Sequence, residues 1–535
     1  MKYSSRIQSR ISKLLVRGDP LMTLKKYIFI FLVIIFPMRA LSSECPSLKE
    51  RKELRMISIG VMVNTENLDP INCWNYQQFL MVQAVFETLV KIDEKGNIVS
   101  GAAGKWDIDS TGTKYTFYLN PKSLFHNGNA LTSQDVTFSI ARHFWPHSKS
   151  MVHGYLLQIL KGSEGLKIGE IPSGLKILDE RTILFELEKP YPPFLSILTM
   201  PGFSIVPQNW DQGKKVIGSG PMMAEFLPKE SEWKFTKFDK YSDIPPKTNA
   251  FCIKTLTSSE AAFEKFENGS IDIAVGLPSI ALDPMKIPKS VKIVATESLA
   301  INHLFLNSSQ PLFKTLEYRK LLGGVFQSIA QKKEMMSPYE RFEPYYIPLG
   351  VMPRKYYERD SNGELPSNCK MLREKTKNNP LKIALRSSRF NSQFFTALEE
   401  SLRKCEISYK LDLISDQGFM PRWESGDFDI ISYSYMGNFP DPDGFLEPLR
   451  HTTKLGASVV PSKDLILQLN AVRHISDPKV RLNEYAEILK KFESEWYVIP
   501  LYRLNLPILY REHIHIPDTN FRYEANLRHI FWQVE

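Results

Sequence analysis

Residues 252–276 read CIKTLTSSEAAFEKFENGSIDIAVG. The stretch holds a strand, a capped helix, a glycine stop at Gly269 and a second strand, in that order. Residues 381–414, LKIALRSSRFNSQFFTALEESLRKCEISYKLDLI, repeat the order. Two strand-helix-strand units far apart in the chain predict an α/β protein built as two separate lobes. The 535-residue length leaves room for two or three such bodies.

Outside these two units the pattern is compatible. Residues 55–63, RMISIGVMV, alternate and predict an opening strand. Residues 76–92 carry Phe79, Val82, Val85, Phe86 and Leu89 at helical spacing. Residues 114–121, KYTFYLNP, predict a strand, with a turn at the following HNGN. Thr132 and Asp135 have the spacing of a capping box that opens a helix. RTILFELEKP predicts another strand, and residues 318–333 a further helix.

The first 42 residues are of a different character. Lys25 and Lys26 precede an unbroken apolar run from Tyr27 to Phe36, and the small residues Ala40, Ser42 and Ser43 follow. Basic, apolar, small is the order of a secretory signal peptide, with cleavage expected near Ser42–Ser43. The run is about half the ~20 residues that a spanning helix needs. Glu44 stands where a lipoprotein signal needs a small residue, which argues against Cys45 as a lipid acceptor. A start at Met22 would give a leader of ordinary length. The formal charge of the chain is +9, of which residues 1–42 hold +7 and the remainder +2. The basicity therefore belongs to the leader and gives no ground for a nucleic-acid partner.

Five cysteines follow (Cys45, Cys73, Cys252, Cys369 and Cys405), none spaced as a zinc or redox pair. One internal disulfide and a set of buried thiols are both compatible with them. No zinc-protease, nucleophile-elbow, P-loop or dinucleotide motif is present. IGSGPM (217–222) reads as a tight turn with a role at a lobe junction, HIH (513–515) as unremarkable histidines, and DPDG lacks the twelfth-position glutamate of a calcium loop. No catalytic set, no cofactor and no metal site is expected.

Several segments, in order, resemble the extracytoplasmic solute-binding proteins of ABC importers, in the family that binds dipeptides, oligopeptides and nickel. LDPINCWNYQQFLMVQAVFETLVKIDEKGNIVSGAAGKWDID and TKYTFYLNPKSLFHNGNALTSQDVTFSI carry the resemblance at the start. GSGPM, FENGSIDIA and FDIISYSYMGNFPDPDGFLEPL carry it further along the chain. The resemblance implies a two-lobed periplasmic-binding-protein clamp, type II-like, with an additional inserted domain. It implies a discontinuous first lobe over 43–95, 200–300 and 500–535, an inserted domain over 96–199 and a second lobe over 301–499. A peptide or peptide-like solute would lie in the interlobe cleft of a monomer, which would pass it to an ABC permease and its ATPase subunits. The periplasm is the implied compartment, since a chain without a lipid anchor would diffuse away from a single-membrane cell.

The resemblance also implies a site. In peptide-binding members an aspartate just before DPD holds the ligand's α-ammonium group, with an aromatic three positions earlier as a cleft wall. Here those places fall to Asn438 and Tyr435. Asparagine accepts a hydrogen bond but brings no charge. Three outcomes stay open: Asp441 or Asp443 substitutes as counter-ion, the ligand lacks a free amine, or binding is weak and the protein has drifted. Trp74 and Tyr76 are a second pair of wall candidates, at the place after a first strand where open α/β folds put ligand contacts. The plain alternatives are core packing for the rings and a capped surface turn for the two aspartates. A sensory or sequestering protein of the same fold, or a secreted hydrolase, are the rival functions.

Overall fold

The computed structural model describes residues 46–63, 66–73, 75–93, 96–150, 152–157, 159–211, 216–277, 282, 287–332, 341–348, 351–352, 369–415, 417–437, 439, 441–451, 463–516 and 530–533. The expected leader, Cys45, Trp74 and Asn438 lie outside the described residues.

The strands are β1 Met56–Val61, β2 Val90–Ile92, β3 Ile98–Ser100, β4 Ala103–Ile108, β5 Lys114–Leu119, β6 Leu175–Asp179, β7 Thr182–Glu186, β8 Met222–Leu227, β9 Glu232–Lys237 and β10 Ala250–Thr255. They continue as β11 Ile273–Val275, β12 Val291–Leu306, β13 Arg341–Phe342, β14 Leu381–Arg386, β15 Tyr409–Ile414, β16 Ile430–Met436, β17 Val498–Arg511, β18 Ile514–His515 and β19 Phe531–Trp532. One large mixed sheet runs β15-β14-β16-β12-β17-β11-β1-β10-β9-β8, with β13 also on β17. A separate four-stranded antiparallel sheet runs β4-β5-β7-β6.

The two strand-helix-strand units sit in the two halves of the large sheet. β10, the helix Ser259–Glu267 and β11 bracket β1, and both strands run parallel to it. β1 is buried along its whole length, as expected of a strand covered on both faces. The Ser258 hydroxyl accepts from Ala261 N at 3.1 Å to start this helix, and Gly269, at φ 75°, ends it. In the other half β14, the helix Ser392–Lys404 and β15 form the same unit, again parallel. The halves have separate apolar cores, one around Ile57, Val85 and Phe235, the other around Leu322, Phe394 and Leu398.

Two strands pass through both halves. β12 has 16 residues and β17 has 14. At ~3.3 Å per residue each reaches roughly 45–50 Å. Their antiparallel ladder shifts register between Thr296 and Ala300 and again between Asn302 and His303. Before the first shift β17 also carries β11, and after it β12 also carries β16. Bulges raise local twist, so the sheet changes direction here. The sequence-based limits 300/301 and 499/500 fall inside these two strands.

The small sheet has its own core, with Phe117, Phe125, Phe185, Tyr191 and Phe194 fully buried beneath the helix Ser133–Ala141. Thr132 and Asp135 form the expected capping box, Thr132 N donating to Asp135 Oδ2 at 2.8 Å. The small sheet is tied to the first half at several points, among them two polar contacts. Arg142 makes a buried bidentate ion pair with Asp69, which also accepts from Trp210 Nε1 at 2.9 Å. His126, from the HNGN turn, meets the GSGP segment: Gly218 N donates to Nδ1 at 3.2 Å, and Nε2 donates to Gly220 O at 3.0 Å. A Cβ on Gly218 would stand 1.9 Å from Val85 O, so only glycine fits. The GSGP segment is thus a junction built on close backbone approach.

One expectation needs correction. The helical pattern of 76–92 ends at Val85, and Val90–Ile92 instead pairs with β3. Phe86 is extended at φ −120°, ψ 153°, and the β-branched Thr88, Val90 and Ile92 suit the hairpin that follows. Cys369 and Cys405 form a disulfide, and Cys73 is a buried free thiol. In HIH, the His513 ring stacks on Trp532 at 4.6 Å and His515 packs on Phe531, so both rings serve the β18–β19 pair.

Candidate functional site

β16 brings the DPDG region to the face between the small sheet and the second half. It pairs with β12, placing Tyr433 opposite His303 and Tyr435 opposite Ile301. Gly437 follows, where a Cβ would stand 2.2 Å from the Phe445 ring. That close approach folds the segment back onto the helix Pro442–His451.

Asp441 and Asp443 hold this return in place. Asp441 precedes Pro442, the first helical residue, and its Oδ1 accepts from Asp443 N at 3.0 Å, as a helix N-cap does. Arg481 grips the same carboxylate with both terminal nitrogens, Nη1 to Oδ1 at 2.9 Å and Nη2 to Oδ2 at 2.6 Å. Burial raises the Asp441 carboxyl above its ordinary value despite the opposing pull of Arg481. Asp443 is 1% exposed. It accepts from Tyr191 OH at 2.5 Å, Tyr485 OH at 2.9 Å and Arg473 Nη2 at 3.0 Å. These are not residues of a surface turn, which corrects that alternative: both carboxylates are buried and committed to partners within the protein.

Tyr435 is partly buried and stacks on Tyr433 at 6.1 Å with an 11° interplanar angle. Its hydroxyl donates to Gly444 O at 2.9 Å, so its oxygen is left to accept from Tyr155 OH at 3.1 Å. Tyr76 opens the helix Tyr76–Val85, capped by Asn75. Its ring packs against the first-half core, near the carboxyl end of β11, where Gly276 abuts Gln77. The Tyr76 hydroxyl is buried without a hydrogen-bond partner among the described residues, and that burial pushes it well up. The structure therefore gathers Tyr435, Asp441 and Asp443 in one place and sets Tyr76 apart on the first half.

The rest of this cluster was not legible in the sequence. Tyr155, Tyr191, Arg473, His474, Arg481 and Tyr485 reach it from 30 to 280 residues away. A lone arginine in a helix gives no local signal of its partner.

The family described as bacterial extracellular solute-binding proteins, family 5 Middle, matches residues 97–457. The chain belongs to that family. Among curated relatives, the solute-binding protein is 23% identical over 432 residues to the probable D,D-dipeptide-binding periplasmic protein DdpA of Escherichia coli (strain K12), covering 75% of this chain and 78% of the relative. It is 24% identical over 450 residues to di/tripeptide-binding protein 4 of Pseudomonas aeruginosa (strain UCBPP-PA14), covering 76% and 81%. Among solved structures, it superposes with a TM-score of 0.74 on the ABC transporter-associated periplasmic binding protein DppA from Helicobacter pylori in complex with the peptide STSA. That match covers 91% of this chain and 100% of the other, at 18% identity. The Escherichia coli murein tripeptide binding protein MppA gives 0.74 at 19% identity, covering 90% and 99%. The fold is that of the two-lobed periplasmic binding proteins, with an additional domain, and the expected α/β clamp is what the chain forms.

Proposed function

We propose that this solute-binding protein takes a peptide or peptide-like solute in the cleft between its halves and delivers it to an ABC permease and its ATPase subunits in the periplasm. The observation that carries this reading is the near full-length match to a peptide-bound binding protein. The relatives named for dipeptides and tripeptides support it. We assign 43–95, 200–300 and 500–535 to the first lobe, 96–199 to the inserted domain and 301–499 to the second. The chain acts as a monomer, is exported by cleavage near Ser42–Ser43 and carries no lipid at Cys45. It performs no chemistry of its own.

Trp74, Tyr76 and Tyr435 are the proposed walls, and Asn438 the proposed polar contact to the ligand. Asp441 and Asp443 shape that contact without touching the ligand, because Arg481, Arg473, Tyr191 and Tyr485 already use their carboxylates. This stretch then offers a ligand amine no free charge. Hydrogen bonds to charged groups are worth roughly 1.5–3 kcal/mol, so an unpaired ammonium would lose about ten- to a hundredfold in affinity. The ligand end at this place is therefore uncharged, as in a blocked peptide or a sugar-peptide. Calorimetric titration with one peptide, free-amine and N-acetylated, tests this. The acetylated form binds more tightly under this reading. Tight binding of the free amine alone overturns it.

A further inference from the structure

The segment that follows β16 does more than face a cleft. Among the described residues, several contacts join it and its neighbours to the small-sheet domain. Phe439 is fully buried, and it is buried in the small-sheet core rather than that of its own half, edge-on to Tyr155 at 5.7 Å. Tyr191 OH donates to Asp443 Oδ2 at 2.5 Å and accepts from Arg473 Nη2 at 3.3 Å. Tyr155 OH meets Tyr435 OH at 3.1 Å. His474 Nδ1 donates to Pro190 O at 2.9 Å.

The two sides of this interface are unequal. Arg473 and Tyr485, which also hold Asp443, come from the same side as Asp443 itself. The Tyr435 hydroxyl is likewise aimed by Gly444 O, eight residues after the end of β16. The second half thus keeps a carboxylate and a phenol oriented by its own residues, and the small-sheet domain brings single visiting groups to them. If the domains part, Asp443 keeps Arg473 and Tyr485, and the Tyr191 hydroxyl passes to water. Phe439 alone has no substitute, because its ring would leave an apolar core for solvent.

We infer that Phe439 and the Tyr191–Asp443 hydrogen bond form a closing latch between the inserted domain and the second lobe, with Phe439 as the bolt and the preset Asp443 carboxylate as the catch. The inference rests on the clamp reading proposed above and adds to it the contacts that set how long the clamp stays shut. Opening withdraws a buried ring and breaks the hydrogen bonds of the Tyr191 hydroxyl to Asp443 and Arg473, together with those at Tyr155 and His474, so the latch sets the closed population and the ligand's residence time.

Small-angle X-ray scattering of the whole protein in buffer, before any peptide is added, tests the latch. Tyr191→Phe removes one hydroxyl and keeps the ring, so it leaves the core filled. Phe439→Ala removes the bolt. Both variants show a larger radius of gyration than the unsubstituted protein, with unchanged far-UV circular dichroism. Should Phe439→Ala fail to fold, Tyr191→Phe still decides. Dissociation of a bound peptide, followed by stopped flow, speeds up by at least about tenfold in Tyr191→Phe, the loss expected when a hydroxyl's bonds to charged groups are removed. An unchanged scattering profile in Tyr191→Phe overturns the latch, whether or not any peptide binds. Failure of every peptide to bind, with the radius still enlarged, overturns the ligand assignment and leaves the latch standing.

Discussion

Replacing Arg481 by Met separates a structural role for Asp441 from a ligand-binding one. Asp441 and Arg481 are 9% and 7% exposed, and the guanidinium covers both carboxylate oxygens. Removing it leaves a buried carboxylate with one backbone N–H, that of Asp443, as its remaining described donor. Stranding a buried charge in this way costs about 3–5 kcal/mol. Asp441→Asn in the same chain removes the stranded charge and keeps an oxygen for the cap. The double variant therefore recovers much of the loss, with a coupling on the order of 2 kcal/mol in the thermodynamic cycle. Urea unfolding followed by tryptophan fluorescence measures all four proteins, and peptide calorimetry runs alongside. The structure predicts a large stability loss in Arg481→Met, partial recovery in the double variant, and less than about threefold change in peptide affinity for Asp441→Asn. Unchanged stability in Asp441→Asn with a tens-fold loss of peptide affinity would contradict this, for Asp441 would then be a ligand's counter-ion.

Other outcomes follow from the same structure. Burial lowers His126 to about 4, outweighing its hydrogen bond to Gly220, so the folded protein keeps the ring neutral while the unfolded chain titrates near 6.5. Its contribution is complete above pH ~6.5 and is lost as the pH falls toward 4, on the order of 3 kcal/mol in all. His303, lowered to about 3 by burial, acts in the same direction. Urea midpoints at pH 7 and 4.5 check this, and His126→Gln should show a shallower pH slope than the parent; equal slopes would count against it. Cys369→Ser with Cys405→Ser opens a loop with a sequence separation of 36 and should lower stability by about 3–4 kcal/mol in the chain-entropy account. An unchanged melting midpoint after reduction by dithiothreitol would contradict that. Asn438→Asp should raise affinity for free-amine peptides roughly tenfold and leave acetylated ones no better, which paired calorimetry measures.

The fold could be read in the chain because its signals are local. Capped helices between apolar strands mark the two parallel units, and each lies within about 35 residues, where periodicity and a glycine stop suffice. The helical pattern of 76–92 runs past the helix for the converse reason. Leu89 keeps helical phase with Phe86, but the close approach of Gly218 and Gly220 to Val85 is set by residues more than 130 positions away. The site divides in the same way. Tyr435, Asp441 and Asp443 stand out as an acidic aromatic run after a strand, and the structure does bring them together. What they touch was hidden, because Arg481, Arg473 and Tyr191 are ordinary residues at those positions until the fold brings them in. The sequence is compatible with a ligand's counter-ion or a surface cap at the two aspartates, and only three-dimensional packing shows the buried partners of both carboxylates within the protein.

Thermal melting of the purified protein in the presence of free-amine peptides, their N-acetylated forms and murein peptides tests most directly whether the cleft binds a peptide-like solute. A ligand at a hundred times its dissociation constant adds about 2.7 kcal/mol to the folded state and raises the melting midpoint. A cleft without a free charge for an amine predicts that acetylated or murein-type peptides raise it, and do so more than free-amine peptides of the same sequence. A midpoint that no peptide moves at millimolar concentration would contradict it.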